Sequence, residues 1–224
     1  MNNDRIKQLS IVSLLFMSCV FSLHAQSPSF HSHRIGISAG LGVNYHNAKD
    51  IVDRINGNSV TTQRISSFKS GAEFFGAVSF PILPDWAVKI EYSYLLASYS
   101  QPTNFGNAEF SYHVHMPSVI AQYILYEAET YNLKLGAGAG YHLGSYSEKY
   151  SSVDATFTGN GIGTVLELEA NTALGEHLFA HLGTQLRWDF IGELTNASGK
   201  PAGNVPTTLN FFSAGARLGM SYYF

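Results

Sequence analysis

The stretch Phe211-Phe-Ser-Ala-Gly-Ala-Arg-Leu-Gly-Met-Ser-Tyr-Tyr-Phe224, at the end of the chain, decides the fold. Counted back in steps of two, Phe224, Tyr222, Met220, Leu218, Ala216, Ala214 and Phe212 are all apolar or aromatic. The alternate set, Tyr223, Ser221, Gly219, Arg217, Gly215 and Ser213, is small or polar except at its end. Successive side chains of a strand point to opposite faces, so this is one strand with an oily face and a wet face. The oily face runs to the last residue, where the end of a soluble domain would fray. A strand closing on an aromatic at a membrane interface is held there.

Composition narrows the class. The chain has 224 residues, room for one domain. Its formal charge of −3 leaves no basic footprint for nucleic acid. Charged residues make up 13%, about half the usual share of a soluble protein. Mean hydropathy is near zero, too low for a bundle of transmembrane helices. At the start, a weakly basic segment (residues 1–7) precedes an apolar run (9–23) and His24-Ala25-Gln26. This order predicts a secretory signal, residues 1–25, cleaved between Ala25 and Gln26 to leave residues 26–224 as one domain. The single cysteine, Cys19, falls inside that apolar run, so the mature chain has no disulfide. No later apolar run reaches 18 residues, which leaves a closed β-barrel as the only way to span a membrane.

Alternation predicts seven further strands upstream: 34–46, 71–80, 86–98, 109–123, 132–143, 161–173 and 178–190. In the first, Ile35, Ile37, Ala39, Leu41, Val43 and Tyr45 share one face, opposite Gly36, Ser38, Gly40, Gly42, Asn44 and His46. In the second, Phe75 falls on the polar face, a misfit. In the fourth, Phe110, Tyr112, Val114 and Met116 read as outward. Pro117 predicts a bulge and a change of phase before Val119, Ala121 and Tyr123. The segments between strands alternate long and short. Residues 47–68 (with Asn56-Gly57 as a turn signal), 99–108, 144–160 and 192–208 read as loops, and 83–85, 126–131 and 174–177 as turns.

Eight strands, short turns at one end and long loops at the other, fit an antiparallel up-and-down transmembrane barrel. Aromatic residues gather at both ends. Tyr45, Phe110, Tyr112, Tyr141, Trp188, Phe190 and Phe212 fall toward the loops; Phe80, Trp86, Tyr123, Tyr131, Tyr222 and Phe224 fall toward the turns. Two such girdles mark two membrane interfaces. A soluble eight-stranded barrel would have to hold all these rings inside, where a barrel of that size lacks the room.

On these residues the chain resembles the small outer-membrane β-barrels of Gram-negative bacteria, with an OmpA- or OmpX-like architecture. In that family a final aromatic closes the last strand and is read by the barrel-assembly machinery. The resemblance therefore implies an assembly signal in Met220, Tyr222 and Phe224. It also implies an outer-membrane location, contact with outer-membrane lipid and a monomer. The stretches His113-Val-His-Met-Pro-Ser-Val-Ile-Ala-Gln-Tyr123 and Leu133-Lys-Leu-Gly-Ala-Gly-Ala-Gly-Tyr141 resemble the PorT-like branch. That likeness implies an accessory of a protein-secretion apparatus.

Candidate functional residues follow from the wet face. Glu73, Glu91, Glu167 and Glu169 share the inward parity with Lys89, Lys134, Arg187 and Arg217. Ions alone in a narrow, dry lumen would cost several kcal/mol each, so opposite signs must meet there. The result is either a salt-bridged plug or a gated ion path. The small inward face of the first strand leaves Arg217 space to reach the acids. His113 and His115 share one strand face but fall short of the three or four ligands of a protein metal site. His31 and His33 lie in the lead segment. Ser111 or Ser118 beside His113 supplies the elements of a serine hydrolase without fixing their geometry. No catalytic residue, metal ion or cofactor is assigned. The expected function is non-enzymatic: support of the envelope, or presentation of Tyr-, Ser- and Gly-rich loops to a partner. A secretion accessory and a small pore are the alternatives.

Overall fold

The computed structural model of the chain describes residues 34–57, 70–103, 106–150, 153–202 and 207–224. The Ala25–Gln26 junction, Cys19, His31 and His33 lie outside the described residues. Eight strands form one closed antiparallel barrel in chain order. They are β1 (Gly36–Asn47), β2 (Gly71–Leu83), β3 (Trp86–Thr103), β4 (Gly106–Glu127), β5 (Tyr131–Tyr150), β6 (Val153–Ala173), β7 (Leu178–Glu193) and β8 (Thr208–Tyr223). Closure joins β8 to β1 in unbroken register from Gly36↔Tyr223 to Asn47↔Phe212.

The outer wall carries the oily parity. Leu41, Val43, Ile90, Val119, Ile162, Leu182 and Leu218 are all more than half exposed, a continuous apolar band that water would not tolerate. Aromatics bound it. At the turn end Trp86 packs on Tyr123 and Tyr126 stacks on Tyr131, with centroids 5.1 and 5.2 Å apart. At the loop end stand Tyr45, Tyr141, Phe190 and the Trp188–Phe212 pair. Within this band the charged residues are inside and the apolar ones outside, the reverse of a soluble barrel.

Beyond the loop-end girdle the barrel turns inside out. Spanning strands need about 9–11 residues, yet β3, β4, β5 and β6 have 18, 22, 20 and 21. Their surplus stands above the band as a four-stranded wall. In water the stable arrangement is apolar inside and polar outside. Leu95, Ala97, Phe110, Tyr112, Val114, Met116, Tyr146 and Phe157 accordingly form a buried core with Ile191, Leu194, Leu209 and Phe211. This corrects the outward placement of Phe110, Tyr112, Val114 and Met116, and removes Phe110 and Tyr112 from the girdle.

The reason is visible at Pro117. The ladder to β3 continues through Tyr92↔Pro117. The ladder to β5 lapses between His115↔Leu143 and Ser118↔Gly140, then resumes in the same register. The missing N–H is thus accommodated by a gap in one ladder, not by a bulge, and the phase never slips. Residues 99–108 and 144–160, expected as loops, are mostly strand. Residues 194–202 do lie outside the strands, as expected of a loop.

Part of the expected 47–68 loop is a helix, α1 (Lys49–Gly57). Ile51, Val52 and Ile55 recur on one helical face and are buried in the upper core. Asp50 in the first turn and Arg54 in the last complement the helix dipole. Arg54 Nε donates to Glu148 Oε1 of β5 at 2.7 Å and the guanidinium lies over the Phe157 ring. Arg54 also donates to the Ala202 carbonyl, and the Thr208 hydroxyl donates to Asp50. The helix therefore caps the loop end of the lumen.

Candidate functional site

Alternation inside the membrane band puts every second residue of eight strands into one lumen. The structure places all eight expected charges there, each 5% exposed or less. They form two linked groups. In the first, Arg217 donates from Nη1 to Glu91 Oε2 at 2.8 Å and from Nη2 to Glu91 Oε1 at 3.0 Å, and also reaches Glu73. Arg187 Nη2 meets the same Glu91 Oε1 at 2.6 Å. In the second, Lys89 Nζ donates to Glu167 at 2.7 Å and to Glu169 at 3.2 Å, while Lys134 lies 3.8 Å from Glu169. Lys89 also stands 3.1 Å from Glu91, which joins the groups. Four acids face four bases, so the network closes without net charge.

Neutral side chains complete it, and these the search for charges passes over. Asn44 and Gln185 donate to Glu73, and Gln122 bridges Glu167 and Glu169 at 2.8 and 2.9 Å. Asn171 donates to Glu169 at 2.8 Å, and Lys134 donates to the Tyr223 hydroxyl at 3.2 Å. The signal was present, since all occupy inward parity, but an amide gives no sign of its role without a partner. Phe75, the misfit of β2, has a use: the Arg217 guanidinium lies 4.7 Å from its ring centroid. Gly42, opposite Arg217, admits the arginine stem; a Cβ there would lie 3.0 Å from Arg217 Cγ.

Between the charge network and the apolar cap lies a polar seam. Ser118 Oγ is 3.3 Å from His142 Nε2, and His142 Nδ1 is hydrogen-bonded to Asp189 Oδ1. Inward glycines make the space, because a Cβ on Gly163 would fall 2.1 Å from the His142 ring and one on Gly140 2.6 Å from Ser118 Oγ. The order of groups is that of a serine hydrolase. Ser118 is however 4% exposed and faces a filled lumen, so a substrate carbonyl has no approach to it. The serine–histidine combination thus arises with His142 and not His113. His113 and His115 sit on the outer wall against Tyr94, at centroid distances of 5.8 and 5.0 Å. Among the described residues no group of three or more His, Cys, Asp or Glu side chains could hold a metal.

At the C-terminus Tyr222, Met220 and Phe224 all point outward, and Phe224 is 62% exposed. Its backbone N–H bonds to the Ile35 carbonyl at 3.1 Å, continuing the β8–β1 seam by one residue.

Wall, lumen and girdles together define an eight-stranded transmembrane β-barrel of outer-membrane architecture. Solved structures share the fold. The chain is similar to outer membrane protein OprG from Pseudomonas aeruginosa (12% identity, TM-score 0.56, covering 89% of this chain and 99% of that one). It is similar to a major outer membrane protein from Thermus thermophilus (13%, 0.54, 86% and 100%) and to Neisserial surface protein A (14%, 0.51, 85% and 97%). No protein-family model matches the chain, and no curated protein sequence matches it.

Proposed function

We propose that the protein is a sealed, non-enzymatic outer-membrane barrel that presents a rigid four-stranded wall to a partner at the cell surface. The carrying observation is the inversion of polarity along β3–β6. Within the band these strands show apolar side chains outward; above it they keep apolar side chains inward on α1 and leave Ser98, Ser100, Asn107, Glu109, Lys149 and Thr156 exposed. A wall held by its own core is pre-organised, which lowers the ordering cost of association. The filled lumen supports a sealed barrel over a small pore. A protein-secretion component is one class of partner, because β4 and β5, whose upper parts are the central pair of this wall, carry the segments 113–123 and 133–141 that resemble the PorT-like branch, mostly lower down in the membrane band. Contact with the barrel-assembly machinery belongs to biogenesis, and the closed ring requires no second copy.

The test replaces the 99–108 and 146–157 segments with tight turns. The shortened barrel should still insert and show heat-dependent mobility on gels. Photo-crosslinks from exposed Ser98, which both chains retain, should vanish in the shortened chain, whereas crosslinks from lipid-facing Thr184 should not change. Equal crosslinking of envelope proteins by parent and shortened chains would refute the reading.

A further inference from the structure

The outer wall carries a trough that the lumen and the partner-facing wall leave unused. It has a volume of about 540 Å³ and lies where β6 and β7 part company. Regular pairing of these strands ends at Gly161↔Ile191. Contact resumes at Thr158↔Thr195, where two backbone bonds of 2.8 and 3.0 Å clamp the β7–β8 loop to β6. Between those points β7 makes an irregular step against β8, from Ile191 to Glu193. Strict alternation would send Glu193 inward beside the buried Ile191. The bulge turns it out instead, as bulges re-aim side chains, and Leu194 takes the inward place.

The trough is therefore a built feature with a definite chemistry. Ser145, Thr158 and Thr195 supply hydroxyls, Asn160 an amide, His115 an imidazole and Glu193 a carboxylate. The Tyr92 hydroxyl engages His115 Nδ1, which leaves Nε2 for a ligand. Leu143 forms the apolar lip toward the membrane band. No lysine or arginine is among the lining residues. A phosphate headgroup would meet the Glu193 carboxylate with no cation to offset it. An uncharged sugar ring fits better, with hydroxyl edges for the polar groups and a C–H face for the leucine and imidazole. A carboxylate with its several lone pairs accepts two neighbouring hydroxyls at once.

We propose that this trough binds an uncharged sugar ring, carried by a membrane glycolipid at the loop-end interface. The lipid source rests on the outer-membrane reading; the sugar chemistry does not. The trough stands beside Tyr141 and Leu143, which are more than 45% exposed on the same wall, so an acyl chain could lie along the apolar band below it.

The test reconstitutes the full chain in nanodiscs doped with monoglucosyl diacylglycerol, plain diacylglycerol or phosphatidylglycerol, and counts retained lipids by native mass spectrometry. Two or three net hydrogen bonds predict a preference for the glucosyl lipid of about tenfold or more. Glu193→Leu and Asn160→Leu, both at exposed positions, should abolish it while mobility on gels stays that of the folded barrel. Free methyl glucoside that displaces the lipid supports the sugar as the recognised part. Methyl glucoside binding in detergent without retention of the glucosyl lipid makes a free sugar the ligand and refutes the lipid source. Equal retention of all three lipids, or preference for phosphatidylglycerol, overturns the proposal. Failure to enter nanodiscs refutes the membrane reading, whereas binding of methyl glucoside in detergent by such a chain would still support the site.

Discussion

Arg217 concentrates the energetics of the lumen in one side chain. It is bidentate to Glu91, reaches Glu73, accepts the Phe75 face and donates to Ser93 Oγ at 2.9 Å. Arg217→Met leaves two buried carboxylates short of a cation and should cost about 3–5 kcal/mol, the range for breaking a buried ion pair. Urea-unfolding midpoints in lipid or detergent would read the loss. Adding Glu73→Gln to Arg217→Met should recover much of it, because the pair couples directly and the amide keeps the hydrogen-bonding capacity beside Asn44 and Gln185. A neutral effect of Arg217→Met would mean that water solvates these charges. At Gly163 the constraint is space. Gly163→Ala drives a methyl into the His142 ring and toward Asp189 Oδ1, 2.7 Å away, and should destabilise by about 1–3 kcal/mol. In a His142→Ser background, where the ring is gone, the same Gly163→Ala change should cost little; an equal loss in both backgrounds would place the strain elsewhere.

At the scale of elements, α1 and β8 are held in opposite ways. α1 is a short helix whose stability comes from Ile51 and Ile55 in the upper core, each worth about 1.5–3 kcal/mol of burial. Ile55→Asp places a carboxylate in that core and should release the helix, opening trypsin sites at Lys49 and Arg54 while the protease-resistant barrel persists. Persistent protection of those two sites would show that the Arg54–Glu148 and Asp50–Thr208 contacts suffice alone. β8 is fixed along its whole length by β7 and β1, and its final ring adds little to that. Phe224 contributes one backbone bond and ring contact with Tyr222 at 5.1 Å, and otherwise faces outward. Deleting Phe224 should therefore slow delivery to the membrane severalfold and shift the unfolding midpoint of the finished barrel little. Delivery at the parental rate, followed by pulse-chase folding, would remove the assembly-signal reading.

The whole molecule is closed twice. In the membrane the eight charges and their amide partners fill the lumen; above it α1 and the apolar core fill the loop end. Planar-bilayer recordings should show no steady current from the parent chain. Ile55→Asp should remain silent as well, since it removes the upper closure and leaves the lower one. A steady conductance in either would make the charge network the lining of a water path, and a pore would replace the sealed barrel.

The sequence by itself determines the strand count, the inward parity of Glu73, Lys89, Glu91, Lys134, Glu167, Glu169, Arg187 and Arg217, and the oily face of β8. These are legible because a strand alternates strictly and the band solvent selects one parity for lipid. The same rule misleads on Phe110 and Tyr112. Alternation says that two faces differ but not which solvent each meets, and above the girdle water replaces lipid and reverses the preference. Only the strand lengths and their common register fix that height. The helix in residues 49–57 was hidden for a related reason: its apolar face is three residues wide and has meaning only against the core built by β3–β8. Tertiary structure alone decides which acid meets which base, that Pro117 keeps the phase, and that a bulge turns Glu193 outward. Each of these depends on how separate strands are set against one another, which no local pattern encodes.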